Sequence, residues 1–597
     1  MSNAEPRVVN GNNEMTFYFN EGTMPYGKYN NFHYTYKSVN NDLDVIGDSY
    51  FFKNVNEDNY PLLIQKVDNA SNVKLMITAD YDEEKEYEYE DINALINNYT
   101  KEFRENIDNI SLKSSDESLG KLNEIIPWYV QNALIHYSTP HGLEQFAGAA
   151  WGCRDVLQGP VELFLTFGAF GIARDIIKKV YSRQFLHNYD WPQWFMFDEY
   201  KNIQAGDSHG DIIVWPIKAL AQYIEKTNDL TILDEVVPYF NFHAGEYSDR
   251  NETIFEHLLN EIRTIEASYV EGTTLPSYGG GDWDDTLQPK NHAQTKTMVS
   301  GWTVALFLDG LKTLLNELKG SKFDLEYLTK IYNEVYKDFN KEVVKDGIIS
   351  GFIYLHDDKK DYMLHPADTM TGIKYRLLPL TRSMIGEIID EKTVNNYLNI
   401  IDKHLMHADG VRLMSSAIKY RGGENTLFMR AETSSCFGRE IGLNYIHAHI
   451  RYIEAMAHIG NASRAKDGID KIVPINLNKY VKNALPRQSN VYFSSSDGAF
   501  LNRYEAYENF DKLRDGSVGV KAGWRLYSSG PGILLHQIVA HYLGINYYHG
   551  DLLLDPVVTK DSDKLEVTMR VFDKDVTLRY HANGKGINKV VIGDKVY

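Results

Sequence analysis

The chain has 597 residues, 43 % of them hydrophobic and 24 % charged, an ordinary globular balance that argues against extensive disorder. Its 62 Lys and Arg against 82 Asp and Glu leave a formal charge of −20 with no concentrated basic stretch, which excludes a nucleic-acid or anionic-membrane surface. No apolar run approaches the ~18 residues needed to span a bilayer, and the two cysteines, Cys153 and Cys436, exclude a disulfide framework and a Cys-rich metal site.

The N-terminal MSNAEPRVVNGNNE lacks the basic start and apolar core of a signal peptide, so a cytoplasmic protein is expected. The unusual proportion is aromatic: 41 Tyr, 26 Phe and 8 Trp make up 13 % of the chain. At ~150 residues per domain the length allows about four domains, or fewer if one large helical barrel absorbs half the chain.

Residues 1–90 read as β. Short alternating runs, Met15–Phe19 and Val73–Ile77, are separated by Asn, Gly and Asp-rich turns, too few strands for more than a partial sandwich. The acidic run at 81–91 reads as a solvated boundary, and 91–120 as a linker helix region. Ile92, Leu95, Ile96 and Tyr99 fall at helix spacing there. From 121 to 545 amphipathic or fully apolar segments follow one another, among them 161–180, 212–226, 302–318 and 440–459. The segments joining them are rich in Gly, Trp, Asp, His and Arg. That alternation fits a closed toroid of helical hairpins better than a bundle, whose few loops carry little chemistry. After 546 the period returns to two (Leu565, Val567, Met569, Val571), which reads as a small C-terminal β domain over 546–597.

Five joining segments carry chemistry. YGGGDWDDTLQP (278–289) places three carboxylates, Asp282, Asp284 and Asp285, around Trp283 after three glycines that let the backbone approach a ligand. A partly desolvated carboxyl can stay protonated as a general acid, and an indole offers a flat apolar platform to a sugar; the alternative is a surface turn with capping aspartates. WGCRDVLQGP (151–160) opens an apolar helix with Arg154, Asp155 and Gln158, either donors and acceptors for vicinal hydroxyls or a structural ion pair with a cap. GDSHGDIIVWP (206–216) gathers Asp207, His209 and Asp211; no second motif has metal-ligand spacing, so no metal is expected, and Asp211 reads equally as an N-cap.

In 420–451, Arg421, Arg430 and Arg439 recur beside Gly or an acid and can hold an anion, while His447 and His449 read as satisfied core residues. YSSGPG (527–532) is a tight loop before an apolar helix, where Ser528, Ser529 and Gly530 offer hydroxyl and N–H donors to an oxyanion or phosphate. The chain has no G-x-S-x-G, Walker A or H-E-x-x-H motif.

In this order the segments resemble the inverting glycoside phosphorylases of glycoside hydrolase family 94, relatives of cellobiose phosphorylase, over about 120–560. The family's R-D-x-x-Q helix start is similar to Arg154-Asp155-x-x-Gln158. Its G-D-x-H-x-G-D segment is similar to Gly206–Asp211, one residue shorter, and its G-D-W-N-D box to Gly281–Asp285, with Asp284 in the Asn place. The resemblance implies an (α/α)6 barrel preceded by a partial β-sandwich and linker helices and followed by a small, jelly-roll-like C-terminal β domain. It implies inverting phosphorolysis of a β-linked gluco-oligosaccharide to α-glucose 1-phosphate, with one carboxylic acid protonating the glycosidic oxygen while inorganic phosphate attacks.

By position in the box the acid maps onto Asp285, with Asp282 as fallback. Arg154, Asp155, Gln158, His209, Asp211, Asp282 and Trp283 are then expected to bind the sugar, and Arg421, Arg430, Ser528, Ser529 and Gly530 the phosphate. No cofactor is implied beyond phosphate as co-substrate. The implied partners are an oligosaccharide and phosphate, with neither nucleic acid nor membrane, and family members are often homodimers.

Departures from the family pattern place Arg430 where His is usual, a Ser-Ser-Gly loop where Thr-Gly is usual, and Gly159 in place of a second Asp. With the stretch 364–384 they look nearer to the branch acting on 1,2-β-oligoglucans. Both ends look shortened, since the family's N-terminal region is usually longer. Two alternatives stay open: an inverting hydrolase with Glu424 or Glu432 as base, and a non-catalytic carbohydrate-binding module.

Overall fold

The structure, a computed structural model, describes all residues except 1–6, 12–13, 24–25, 28–29, 41–48, 50–68, 82–90, 107–109, 138–149, 207, 357–358, 420–421, 423–424, 432–441, 524–528, 573, 583–586, 588 and 597. Contacts divide it into two units, Met1–Asn106 and Ile107–Tyr597. The division falls inside the 91–120 segment expected as a linker.

In the first unit, β1 (Arg7–Gly11), β2 (Glu14–Tyr18), β3 (His33–Ser38) and β4 (Leu75–Asp80) form one antiparallel sheet in sequence order. Among the described residues the expected partial sandwich is therefore a single sheet. Cross-strand pairs fix its register: Met15 faces Tyr36, and Phe17 meets Tyr36 edge to face at 5.5 Å. Ile92, Leu95, Ile96 and Tyr99 lie on α1 (Ile92–Asn106) and remain exposed.

The second unit begins with β5 (Ser111–Lys113), and among its described helices twelve alternate between two layers. The outer ones are α2 (Glu117–Tyr137), α4 (Phe170–Tyr181), α6 (Ile254–Ala267), α8 (Glu326–Asp338), α10 (Glu391–Ile400) and α12 (Ala462–Asp470). The inner ones are α3 (Cys153–Thr166), α5 (Trp215–Thr227), α7 (Gly301–Glu317), α9 (Leu377–Ile385), α11 (Ile446–His458) and α13 (Gly530–His536). Each inner helix packs on the next, α3 on α5, α5 on α7, α7 on α9, α9 on α11 and α11 on α13, and α13 closes the ring on α3. Among the outer helices, α2 packs on α13, α4 on α3 and α5, α8 on α7, and α12 on α11. This is the (α/α)6 barrel that the apolar periodicity and the resemblance predict.

Burial follows from the layering. An inner helix meets neighbours all round, so α3 and α11 bury nearly every residue and α7 buries all of residues 301–311, whereas outer α8 buries Leu328, Ile331 and Val335 on one stripe. Local signals fix the helix ends. Thr253 and Glu256 form a reciprocal capping box on α6, Pro216 opens α5, and Asn228 ends it in the left-handed conformation with φ of 56°.

Charged residues inside the inner ring are paired. Asp309 of α7 takes Lys218 of α5 at 3.0 Å and Arg382 of α9 at 2.9 Å. Arg451 of α11 takes Glu162 of α3 at 2.6 Å and Glu454 of its own helix at 2.7 Å. Buried charges persist only when matched in this way. The C-terminal strands β6 (Glu566–Val571) and β7 (Lys574–Arg579) pair with each other, and β6 also pairs with β5 from ahead of the barrel. The C-terminal β segment thus shares a sheet with the start of the same unit.

Candidate active site

All six inner helices present their N-terminal ends to the segments that carry the motifs. Arg154 and Asp155 lie in the first turn of α3, Asp211 just ahead of α5, Ser300 just ahead of α7, Arg376 ahead of α9, His447 in the first turn of α11, and Ser529 ahead of α13. Helix N-termini carry unpaired N–H groups and the positive end of the helix dipole, so their convergence creates an anion-attracting field in a strongly acidic protein.

The segments 206–211 and 278–289 are joined through the backbone. Gly210 donates its N–H to Gly281 O at 2.8 Å, and His209 forms a bridge with Gly279. Close approach explains the glycines: a Cβ on Gly210 would meet Tyr278 O at 2.3 Å, and Gly281 has φ of 144°, where an L side chain is strained.

Arg154 is the hub. Its Nη2 donates to Asp285 Oδ1 at 2.5 Å, while Nη1 donates to Asp282 O at 2.9 Å and to Asp211 Oδ1 and Oδ2 at 3.3 and 3.4 Å. His209 Nδ1 lies 3.3 Å from the same Asp285 oxygen, and its Nε2 lies 2.7 Å from the Gln288 amide. Burial would raise the Asp285 carboxyl, but the charge of Arg154 and the hydrogen bond and charge of His209 outweigh it and hold Asp285 well below the usual carboxylate range. Its side chain keeps 23 % exposure, the most open carboxylate of the box. Asp211 is fully buried and takes the Trp215 indole N–H at 3.0 Å; burial pushes its carboxyl up despite Arg154 and His209. It makes no side-chain cap on the turn it precedes, so the N-cap reading gives way to the ion pair.

Asp282 has a different role from Asp285. It is fully buried, and Arg376 grips both its oxygens at 2.8 Å while Ser300 donates at 2.7 Å. A carboxylate so clamped is a structural anion with no face open to a substrate, which corrects its standing as fallback acid and as sugar ligand. Asp282 in turn places Arg154, through its carbonyl.

Trp283 differs from the expected open platform. It is 5 % exposed and stacks on Trp302 at 5.9 Å, with Tyr445 and His447 beside it. It forms the floor under the carboxylates. Gln158 also departs from expectation: fully buried, it donates to Arg154 O at 3.1 Å and accepts from Arg451 at 3.1 Å, tying the site to the ion pairs below it without facing a sugar.

Beside α3, Ser529 Oγ donates to Asp155 Oδ1 at 3.3 Å and lies 3.0 Å from His447 Nε2, whose Nδ1 meets the Tyr492 hydroxyl at 3.1 Å. Burial pushes His447 down to about 3. His449 is equally buried, bonded to Val411 N–H and Gly468 O. Both match the reading as satisfied core residues, although His447 also braces Ser529. Gly159 in the second-Asp position has a packing cause, since a Cβ there would lie 2.5 Å from Ser529 O where α3 and α13 touch. Gly530 opens α13 under the Tyr492 ring, which a Cβ would strike at 2.3 Å.

Arg430 sits in a turn held against the acid-bearing segment. Met429 N–H donates to Gln288 O at 2.9 Å and Lys290 N–H to Leu427 O at 3.0 Å. Asp207, Arg421, Glu424, Glu432, Arg439 and Ser528 lie outside the described residues. Among the described residues no group of three or more His, Cys, Asp or Glu side chains is placed to hold a metal ion, and no helix is long and apolar enough to cross a membrane.

Sequence reasoning missed Arg376, Ser300, Gln288 and Tyr492. Arg376 had a signal: a cation just ahead of an apolar helix opposes the helix dipole and therefore needs a carboxylate partner.

The glycosyl hydrolase 94 superfamily catalytic domain matches residues 102–492. A 1,2-beta-oligoglucan phosphorylase of Listeria innocua serovar 6a is 48 % identical over 80 % of this chain and 43 % of its own length. A solabiose phosphorylase of Paenibacillus borealis is 26 % identical over 28 % of this chain and 19 % of its own. The chain thus spans less than half the length of these curated relatives. A bacterial glucoamylase solved with acarbose is 11 % identical, with a TM-score of 0.51 over 90 % of this chain and 74 % of its own, a likeness of fold. The chain belongs to the glycosyl hydrolase 94 superfamily.

Proposed function

We propose that the protein phosphorolyses a β-linked gluco-oligosaccharide with inversion, giving α-glucose 1-phosphate and a shortened sugar. The carrying observation is one half-open carboxylate, Asp285, set in a ring of six helix N-termini and beside Arg154. The identity with a 1,2-beta-oligoglucan phosphorylase supports β-1,2-linked glucan as the substrate class.

Asp285 delivers a proton to the glycosidic oxygen while phosphate, already a nucleophile, attacks the anomeric carbon from the other face. An inverting hydrolase needs a second carboxylate to activate water, whereas a phosphorolytic site needs only to hold and aim an anion. Arg154 and Asp155 face the sugar, and Arg430, Ser529 and Gly530 the phosphate, with Arg421 and Ser528 assigned to the phosphate from the sequence alone. No cofactor enters this scheme. A cytoplasmic setting suits an enzyme that consumes inorganic phosphate.

The test is incubation with β-1,2, β-1,3 and β-1,4 gluco-oligosaccharides with and without phosphate. Sugar phosphate formed only with phosphate supports the reading. Glucose released equally well without phosphate would make the protein a hydrolase, and binding without turnover would make it a carbohydrate-binding module.

A further inference from the structure

Arg154 stands between two carboxylates that it serves unequally. Asp285 takes Nη2 at 2.5 Å, while Asp211 receives only the longer contacts of 3.3 and 3.4 Å from Nη1. Asp211 is fully buried, and its firm hydrogen bond is the neutral Trp215 indole N–H at 3.0 Å. A buried carboxylate with so loose a counter-charge is a ready acceptor for a guanidinium. Asp285, by contrast, cannot act as an acid while Arg154 and His209 both press on Oδ1.

We propose that Arg154 is a two-position guanidinium and Asp211 its second seat: a β-glucoside entering the site displaces Arg154 from Asp285 toward Asp211, and the freed, newly desolvated Asp285 takes up the proton it will donate. Asp211 is then a positioning residue that acts through Arg154. The inference rests on the phosphorolytic reading above. The groups facing Asp285 among the described residues are Arg154 from α3, His209 and Asp211 from the segment before α5, Asp282 and Asp284 on its own loop, and Arg376, which is committed to Asp282.

The step balances. The proton comes from solvent through the open side of Asp285. It passes to the glycosidic oxygen as the C1–O bond breaks and a phosphate oxygen bonds to C1. Asp285 is left as a carboxylate and Arg154 returns to it. Turnover is thereby coupled to a bound sugar, because Asp285 carries no proton until Arg154 has moved.

Asp211→Asn removes the second seat while keeping shape. The pH dependence of kcat at saturating sugar and phosphate for phosphorolysis of a β-1,2-linked gluco-disaccharide is compared with that for 2,4-dinitrophenyl β-glucoside, whose leaving group needs no proton. With Arg154 left to Asp285 alone, the basic limb for the disaccharide should move to lower pH by about one unit, about a tenfold loss above that limb, while the dinitrophenyl substrate is little affected. An unmoved limb, or equal losses on both substrates, overturns the proposal.

A second measurement uses the wild-type chain and does not depend on that variant folding. Calorimetric binding of the disaccharide without phosphate, in two buffers of different ionisation enthalpy at pH 7, should show uptake approaching one proton, lost in Asp285→Asn. No uptake, or the same uptake in Asp285→Asn, overturns the proposal. A wild type that makes no sugar phosphate refutes the functional reading instead, so the two failures are distinguishable.

Discussion

Replacing Arg376 by Met should be among the most damaging single changes in the barrel, and the structure says why. Asp282 is fully buried, and two of its hydrogen bonds, both 2.8 Å, come from this guanidinium. Methionine keeps an apolar stem of similar volume near Phe352 but leaves the carboxylate without a counter-charge. Removing one partner of a buried pair costs about 3–5 kcal/mol. Ser300 and the Asp284 N–H still donate to Asp282, at 2.7 and 3.0 Å, which places the expected cost near the low end, about 3 kcal/mol.

Urea unfolding at pH 7 of wild type, Arg376→Met, Asp282→Asn and the double variant supplies the cycle. Removing the orphaned charge should return about 1–2 kcal/mol to the Arg376→Met background, a coupling of the size seen for contacting residues. A single-variant cost below about 1 kcal/mol, with no coupling in the cycle, would refute the assignment of Asp282 as a clamped structural anion.

Three further outcomes are expected. Asp285→Asn should lower phosphorolysis of the disaccharide by about 10²–10⁴-fold while leaving sugar binding measurable by calorimetry; undiminished turnover would remove Asp285 from the acid role. Burial lowers His257, His449 and His541 from 6.5 to about 4, so the unfolded chain takes up these protons before the folded one does. Stability should therefore fall between pH 6.5 and 4, by about 1.4 kcal/mol per histidine per pH unit, and thermal melts independent of pH across that window would contradict the burial of these rings. Gly159→Ala should cost about 1–3 kcal/mol by overpacking the α3–α13 contact, and because the strained atom is Ser529 O it should also weaken use of phosphate, seen as a raised KM for phosphate.

The barrel was legible because its signal is local. Helix-period apolar runs, and joining segments dense in Gly and Asp, require only neighbours in sequence, and both survive folding as inner helices and the turns at their N-termini. The segments of the site were legible for the same reason, but the division of labour within them was not. Asp282 and Asp285 are equivalent in a string of letters; they part because Arg376, 94 residues away, clamps one, and Arg154, 131 residues away in the other direction, holds the other. Trp283 reads as a platform until Trp302 is stacked on it and Tyr445 packed beside it, and Gln158 as a ligand until Arg451 claims it.

The charge question ends differently from where composition left it. A chain of −20 proposed to use phosphate is expected to gather Arg421, Arg430 and Arg439, of which Arg421 and Arg439 lie outside the described residues, while the described Arg376 and Arg451 are committed to buried carboxylates and Arg154 to Asp285 and Asp211. Among the described residues, six helix N-termini at one rim add a neutral attraction for an anion to the charge of Arg430. That field is a property of the ring and of no single residue, so no motif in the sequence could announce it.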